Sequence, residues 1–201
     1  MASDRQYRTV LLFGCPGSGK GTMGKVLGSL LFHYHLASGD IFRAMDPNSK
    51  LGAECRKYFD RGLLVPDDLT VSLWRSHVEQ LIAQGTFNPD TDTLILDGIP
   101  RTFAQAKRLD DSLDVRAIFH LVAYNEQTMI QRLLKRGIKE GRADDASEEV
   151  IRRRMEVYKK ETFETLKAYD DHYIFNINAE QPPASVLSDI VGVLKSLHQR
   201  G

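Results

Sequence analysis

The chain has 201 residues, 42% of them hydrophobic and 27% charged, and this length supports one hydrophobic core with at most a small insertion. The composition is typical of a globular domain rather than of a disordered or fibrous chain. Because 27 basic residues balance 27 acidic ones, no net field favours nucleic acid or an acidic membrane. Any phosphate site must therefore be local.

Cysteine content and hydropathy indicate where the protein works. The two cysteines, Cys15 and Cys55, are too few for a zinc quartet or a disulfide framework. The sequence begins without an apolar leader and has no apolar run of about 18 residues that could span a bilayer. We therefore expect a cytoplasmic protein without a membrane or nucleic-acid partner, and the neutral charge favours a monomer.

Short apolar runs alternate with longer segments of helical periodicity along the chain. The runs lie at 10–13, 94–96, 117–122 and 174–177. Strands buried on both faces give such runs, and connections too long for hairpins favour a parallel sheet between two helical layers. Residues 39–85 interrupt the alternation with a mostly helical insertion. Residues 132–154 form a basic segment with eight Lys or Arg against five Asp or Glu.

A glycine-rich loop follows the first apolar run and precedes the first helical segment; it reads Gly14-Cys15-Pro16-Gly17-Ser18-Gly19-Lys20-Gly21-Thr22. Strand, glycine loop and helix in this order are typical of a P-loop. Glycines let backbone N–H groups turn toward a phosphate, the helix N-terminus adds its positive end, and Lys20 adds a mobile charge. Thr22 can reach a Mg²⁺ ion, although Gly21 separates it from the lysine.

The run at 94–96 ends in a second candidate site, Asp97-Gly98-Ile99-Pro100-Arg101. A carboxylate at this point of a P-loop protein can hold the water ligands of Mg²⁺. Many P-loop ATPases have Glu in the next position to activate water, whereas this chain has Gly98. The sequence therefore favours phosphoryl transfer to a bound acceptor over hydrolysis, with Arg101 projecting into the site.

The loop from Gly14 to Thr22, with its Lys-Gly-Thr ending, resembles that of adenylate kinases and related nucleoside monophosphate kinases. Residues 35–43, 94–102 and 132–154 resemble three further signatures of that family, in the same order. The resemblance implies one nucleotide kinase domain over residues 1–201, an α/β P-loop three-layer sandwich with a five-stranded parallel sheet, an AMP-binding arm near 38–67 and a short lid near 137–147. It also implies reversible phosphoryl transfer from Mg-ATP to AMP, giving two ADP, without zinc or a covalent intermediate.

On the acceptor side, the resemblance implies AMP contacts from the following residues: Ser38, Arg43, Leu63, Leu64, Val65, Gly98, Ile99, Pro100, Arg101, Gln105, Arg142 and Arg154. The family usually has Phe where this chain has Ile99, and losing that aromatic wall predicts a changed KM rather than lost activity. The amide of Gln105 presents a donor and an acceptor together, which suits the edge of adenine and favours AMP over UMP or CMP.

On the ATP side, the resemblance implies contacts from Gly17, Ser18, Gly19, Lys20, Gly21, Thr22, Arg132, Arg136 and Gln181, with Mg²⁺ held at Thr22 and Asp97, mostly through water. Arg132 and Arg136 share one helix face at i, i+4, so one ligand can meet both. The resemblance implies that Arg132 stacks on the ATP base.

The basic segment resembles the family's lid, and planar guanidiniums match the oxygens of a transferred phosphoryl group. The implied catalytic residues are Lys20, Arg101, Arg136, Arg142 and Arg154. The spacing from Arg142 is one residue longer than usual, with Ala146-Ser147 filling the gap, so Arg153 is an alternative to Arg154. We expect Gly137 and Gly141 to flank a short mobile loop.

Two other functions remain open from the sequence. A UMP/CMP-type nucleoside monophosphate kinase would share the mechanism and differ in its acceptor. A catalytically inactive nucleotide-binding module would hold ATP without consuming AMP. A GTP switch is disfavoured because the chain has no Asn-Lys-x-Asp segment to bind guanine. The expected ligands are the nucleotides ATP, AMP and ADP.

Overall fold

Five strands form a central parallel sheet in the computed structural model, which describes residues 5–198. In chain order they are β1 (Tyr7–Gly14), β2 (His33–Ala37), β3 (Thr93–Asp97), β4 (Leu113–Val122) and β5 (Ile174–Asn178). Their order across the sheet is β2-β3-β1-β4-β5, and every neighbouring pair is parallel. The predicted α/β P-loop fold with a five-stranded parallel sheet is confirmed.

Helices fill the connections between the strands. They are α1 (Lys20–Gly28), α2 (Ser38–Ala44), α3 (Lys50–Phe59), α4 (Asp67–Ala83), α5 (Phe103–Leu109), α6 (Glu126–Glu140), α7 (Glu148–Val157) and α8 (Pro183–His198). Short 3₁₀ turns lie at Ala143–Asp145, Glu164–Ala168 and Asp171–Tyr173, and a π-helical turn at Tyr158–Thr162. Within residues 5–198, no helix combines the length and the apolar character that crossing a membrane requires.

The central strands fill two separate hydrophobic cores, one on each face of the sheet. On β3, Leu94 and Leu96 face the core shared with α4 and α5, whereas Ile95 faces the core shared with α1 and α8. All three side chains are fully buried. Strands covered on both faces need no polar positions, which explains the continuous apolar runs in the sequence. Trp74 of α4 is buried in the first core.

The carboxyl ends of the strands meet at one edge of the sheet, and this edge positions the candidate site. Parallel pairing brings the end of β3 beside β1 and β2, with Asp97 opposite Leu12 and Ala37. The glycine loop leaves β1 at the same edge and leads into α1. Ligands bind at this edge in open parallel sheets.

The basic segment differs in one detail from the sequence expectation. Helix α6 continues past Gly137 to Glu140, and Gly141 ends it in the left-handed conformation with φ of 63°. A Cβ atom on Gly137 would lie 2.6 Å from the Asp145 carbonyl oxygen. Glycine is therefore needed inside the helix, because it lets the Ala143–Asp145 turn pack closely against α6. The loop begins at Gly141 and not at Gly137.

Candidate functional site

A cleft of about 430 Å³ opens at the carboxyl edge of the sheet, between the glycine loop, α2 and the basic segment. Fourteen of the predicted site residues line it: Gly17, Ser18, Gly19, Lys20, Gly21, Thr22, Arg43, Asp97, Arg101, Arg132, Arg136, Arg142, Arg154 and Gln181. These residues come from sequence positions more than 160 apart, and the sheet topology brings them together.

The glycine loop holds its lysine inside the cleft. The ammonium of Lys20 donates hydrogen bonds to the carbonyl oxygens of Gly14, at 2.7 Å, and Cys15, at 3.1 Å. Burial lowers the pKa of Lys20, and the Asp97 carboxylate opposes that effect. Burial also raises the pKa of Cys15, so the thiol stays protonated. These contacts hold the ammonium of Lys20 at the floor of the glycine loop, where it lines the cleft.

Asp97 and Thr22 are the predicted magnesium residues, and both line the cleft beside the glycine loop. Asp97 ends β3, Thr22 lies in the first turn of α1, and both face the same space. Within the described part of the chain, no group of three or more His, Cys, Asp or Glu side chains could hold a metal ion. Two oxygen donors fit Mg²⁺, which keeps several water ligands and binds through few protein groups.

Arg101 is held by the loop between β3 and α5. Its Nε donates to the Gly98 carbonyl oxygen at 2.8 Å, and the Ser38 hydroxyl donates to the same oxygen at 2.6 Å. Burial, reinforced by the positive charge of Arg154, lowers the pKa of Arg101 to about 10. The guanidinium is therefore still charged at neutral pH, and it is poorly solvated, which strengthens its attraction for an anion.

Two buried carboxylates, Asp144 and Asp145, anchor the arginines of the basic segment. Arg136 donates to Asp145 at 2.7 Å, and Arg154 forms ion pairs with both carboxylates, at 2.9 Å with Asp144. Arg43 of α2 lies 3.9 Å from Asp144. The carboxylate oxygens accept from the guanidiniums and thereby hold these arginine side chains at the cleft. In the sequence, both acids are visible only as part of the charge balance of residues 132–154.

Arg154 and Arg153, the two alternatives for the last arginine of the basic segment, lie in different surroundings. Arg154 lines the cleft and its side chain is 17% exposed, whereas Arg153 points away, is 42% exposed and pairs with Glu149 at 3.3 Å. Ala146 and Ser147 lie before α7, where the Ser147 hydroxyl caps the helix by accepting from the Val150 N–H. Arg154 lies on the turn of α7 that faces the cleft.

Three further predicted residues line the cleft with partners of their own. Arg132 donates to the Ala179 carbonyl oxygen at 3.1 Å, Arg142 pairs with Glu140 at 2.6 Å, and Gln181 donates to Asp189 at 2.5 Å. Arg132 and Arg136 lie on the same face of α6, as their spacing predicts.

The remaining predicted acceptor residues lie apart from this cleft. Leu64, Gly98 and Pro100 line a smaller neighbouring cavity of about 60 Å³, which also contacts Arg101 and Arg154. The following do not line either cavity: Ser38, Leu63, Val65, Ile99 and Gln105. The Ile99 side chain is buried in the core with Trp74 and does not form a wall of the cleft, and Gln105 is also buried.

A buried histidine joins the sheet to the turn that follows α7, and its sequence neighbourhood gives no signal of this contact. His120 of β4 contacts Asn176 through Nδ1 at 2.8 Å and the Tyr158 hydroxyl through Nε2 at 3.0 Å. Tyr158 lies one helical turn after Arg154 and lines the smaller cavity. Burial lowers the pKa of His120, so the ring is neutral at pH 7 and can accept from the tyrosine.

Comparison with known proteins gives one consistent family. The adenylate kinase family profile matches residues 12–174. The chain is 38% identical to the adenylate kinase of Cyanothece sp. over 194 residues, which cover 94% of this chain and 95% of the relative. It is 35% identical to the adenylate kinase of Flavobacterium psychrophilum, covering 92% and 98% of the two chains, and 36% identical to that of Thermobifida fusca, covering 93% and 98%. The chain therefore belongs to the adenylate kinase family.

Proposed function

We propose that this chain transfers a phosphoryl group reversibly from Mg-ATP to AMP, giving two ADP, with the residue roles set out below. Family membership makes it an ATP:AMP phosphotransferase. The observation that carries the roles is one cleft combining the P-loop lysine, a strand-end carboxylate and six arginines. Two phosphate chains that meet head to head carry more negative charge than one nucleotide, and guanidiniums bind phosphate oxygens bidentately.

The ATP phosphates belong to the glycine loop and the basic segment. Backbone N–H groups of residues 17–22 lie at the N-terminus of α1, whose dipole favours an anion. Arg132 and Gln181 line the same cleft from α6 and from the turn before α8. The planar guanidinium of Arg132 suits stacking on the ATP base, and the amide of Gln181 suits a polar edge of that nucleotide.

The AMP phosphate belongs to the arginines that reach the cleft from the acceptor side. Arg43 lies on α2 and Arg101 on the loop after β3. Leu64, Gly98 and Pro100 line the neighbouring cavity, and we assign the contact to the adenine base to Gln105. Arg142 and Arg154 lie where both phosphate chains can meet them.

Asp97 and Thr22 are the residues that would hold Mg²⁺. Their carboxylate and hydroxyl oxygens are ligands that this ion prefers. When bound with ATP, the ion neutralises part of the charge on the transferring phosphates.

The chain contributes to catalysis by positioning the two nucleotides and by stabilising charge. As the phosphoryl group passes from the ATP oxygen to the AMP oxygen, negative charge spreads over its three equatorial oxygens. Cations that are already fixed in a cleft without water stabilise this charge with little reorganisation. Closure of the segment near 137–147 over the nucleotides excludes water, which would otherwise compete as acceptor. The residues assigned to this task are Lys20, Arg101, Arg136, Arg142 and Arg154.

A coupled assay for ADP formation from Mg-ATP tests the proposal, with AMP, UMP, CMP and GMP supplied separately and a control without acceptor. We expect rapid ADP formation with AMP and little with the pyrimidine nucleotides. Comparable turnover with UMP or CMP would contradict the acceptor assignment and keep the mechanism. Tight ATP binding without turnover on any acceptor would contradict the enzymatic function itself.

A further inference from the structure

We propose that Asp67 determines acceptor specificity by fixing the orientation of the Gln105 amide, so that the site prefers a base with an amino group beside an accepting ring nitrogen. This inference rests on the proposed contact between Gln105 and the AMP base. Asp67 is the first residue of α4, and its carboxylate is half-buried against α5. The resemblance to the kinase family implies no contact from its side chain.

The amide of Gln105 is held at both ends. Its Oε1 accepts from the backbone N–H of Arg101 at 2.7 Å, and its Nε2 donates to Oδ1 of Asp67 at 2.8 Å. The hydroxyl of Thr102 also donates to Oδ1 of Asp67, at 3.0 Å, and accepts from the backbone N–H of Gln105 at 3.1 Å. The four residues form one connected network between the start of α4 and the start of α5.

The chemistry of the two partners permits one orientation of the amide. An ionised carboxylate only accepts hydrogen bonds, and a backbone N–H only donates. A reversed Gln105 would set its NH₂ against the Arg101 N–H and its oxygen against the Asp67 carboxylate. Both contacts would then be repulsive in a buried place, where unmatched polar groups are costly. Asp67 and the Arg101 N–H together exclude the reversed amide.

The fixed amide leaves one N–H and one oxygen lone pair for a ligand. An amide carries two N–H groups and two lone pairs on its oxygen, and the network uses one of each. Adenine offers an amino donor beside an accepting ring nitrogen, which matches this pair. Hypoxanthine offers a carbonyl acceptor beside a ring N–H, which matches the reversed amide. The network therefore selects AMP over IMP.

Burial makes this selection strict. Gln105 is 1% exposed, so a base reaches the amide only after the surrounding side chains move aside, and it then binds where water does not compete. In such a place a mismatched base leaves polar groups unpaired, which separates similar substrates far better than a change of size does.

Asp67 could instead serve only the helix, since a carboxylate in the first turn favours the macrodipole. Asp68 provides a matched control for that role. It is the next residue of the same turn, it pairs with Arg108, and its side chain is 86% exposed. Asp68 therefore shares the helix position and the charge, and it lacks the contact to Gln105.

Initial rates of ADP formation with AMP and with IMP test the inference in Asp67→Ala and Asp68→Ala. We expect Asp67→Ala to lower the AMP:IMP ratio of kcat/KM by about tenfold or more, the scale of one hydrogen bond to a charged group. Asp68→Ala should leave the ratio unchanged. A loss of activity that is equal for AMP and IMP in Asp67→Ala would overturn the inference, because a purely structural role lowers both alike.

Asp67→Asn keeps the shape of the side chain and tests the role of Asp67 if Asp67→Ala does not fold. An Asn side chain can present either an acceptor or a donor to Gln105, so only the Arg101 N–H still opposes the reversed amide, and the ratio should fall partway. An unchanged ratio in this variant would count against the inference.

Gln105→Ala distinguishes the proposed contact between Gln105 and the base from the proposed role of Asp67. If it lowers the AMP:IMP ratio and Asp67→Ala does not, the base contact of the proposed function stands and the role of Asp67 is overturned. If neither variant changes the ratio, both the base contact and the role of Asp67 fail.

Discussion

Removing Arg154 should damage catalysis and stability together, because this arginine faces the cleft and also neutralises two buried acids. Its side chain is 17% exposed, and those of Asp144 and Asp145 are 3% and 0% exposed. In Arg154→Ala the cleft loses one cation that would meet the transferring phosphoryl group. Losing one such group lowers kcat by about 10² to 10³.

The expected loss of stability follows from the partners that remain. Breaking a buried ion pair by removing one member costs about 3 to 5 kcal/mol. Here Arg136 still contacts Asp145 at 2.7 Å, and Arg43 lies 3.9 Å from Asp144. We therefore expect a loss of about 2 to 3 kcal/mol, which lowers Tm by about 4 to 12 °C in a chain of this size.

Arg153→Ala is the matched control, since Arg153 is the adjacent residue, is 42% exposed, and pairs with a Glu149 side chain that is 82% exposed. An exposed pair of this kind contributes less than about 1 kcal/mol, and kcat should stay within about twofold. Steady-state kinetics with Mg-ATP and AMP, together with thermal unfolding, measure both effects. A fall in kcat in Arg153→Ala as large as that in Arg154→Ala would refute the catalytic assignment of Arg154.

Three further predictions follow from the contacts of the site. Arg101→Ala should lower kcat by about 10² or more with little change in Tm, and wild-type turnover in steady-state kinetics would remove Arg101 from the mechanism. Burial lowers the pKa of His120 in the folded protein, so the unfolded chain takes up a proton at this histidine first as pH falls. The contribution of neutral His120 to the free energy of unfolding is therefore complete above the unfolded pKa of about 6.5 and is lost as pH falls below it. Urea unfolding between pH 7.5 and 5 should therefore show a smaller loss of stability in His120→Gln than in the wild type, and equal slopes would contradict the linkage. Gly62→Ala should cost about 1 to 2 kcal/mol from its positive φ and lower kcat as well, because its Cβ would lie 2.8 Å from Cγ of Arg154. The control Gly85→Ala has a similar φ and open space around it, so it should lose stability only, and loss of kcat there would contradict the steric argument.

The sequence predicts the sheet and the phosphate loop well because both depend on patterns of neighbouring residues along the chain. Apolar runs buried on two faces and a glycine loop between strand and helix are patterns within about ten residues. The short edge strand β2 has no such run, since Leu36 is its one buried residue. Its place follows from the resemblance and from pairing with β3, not from periodicity.

The contacts that orient the site side chains are not visible in the sequence pattern. Asp67 meets Gln105 across 38 positions, and His120 meets Tyr158 across 38 positions. A charge count also does not show where a side chain points. It therefore cannot distinguish Asp144, which is buried and paired with Arg154, from an acid on a solvated helix face. Such contacts depend on how helices pack over the sheet edge, and this packing has no local signature.

The contact of Gly62 with α7 ties two parts of the proposed site to each other. A Cβ atom on Gly62 would lie 2.8 Å from Cγ of Arg154 and 2.9 Å from the Val150 carbonyl oxygen, so the backbone at Gly62 packs closely against α7. A bulkier residue at 62 would need a compensating shift of α7, and a shift of α7 would open a gap at 62. A substitution at residue 62 is therefore expected to need a compensating substitution on α7 if the protein is to stay folded and active. This constrains any attempt to redesign the acceptor side alone.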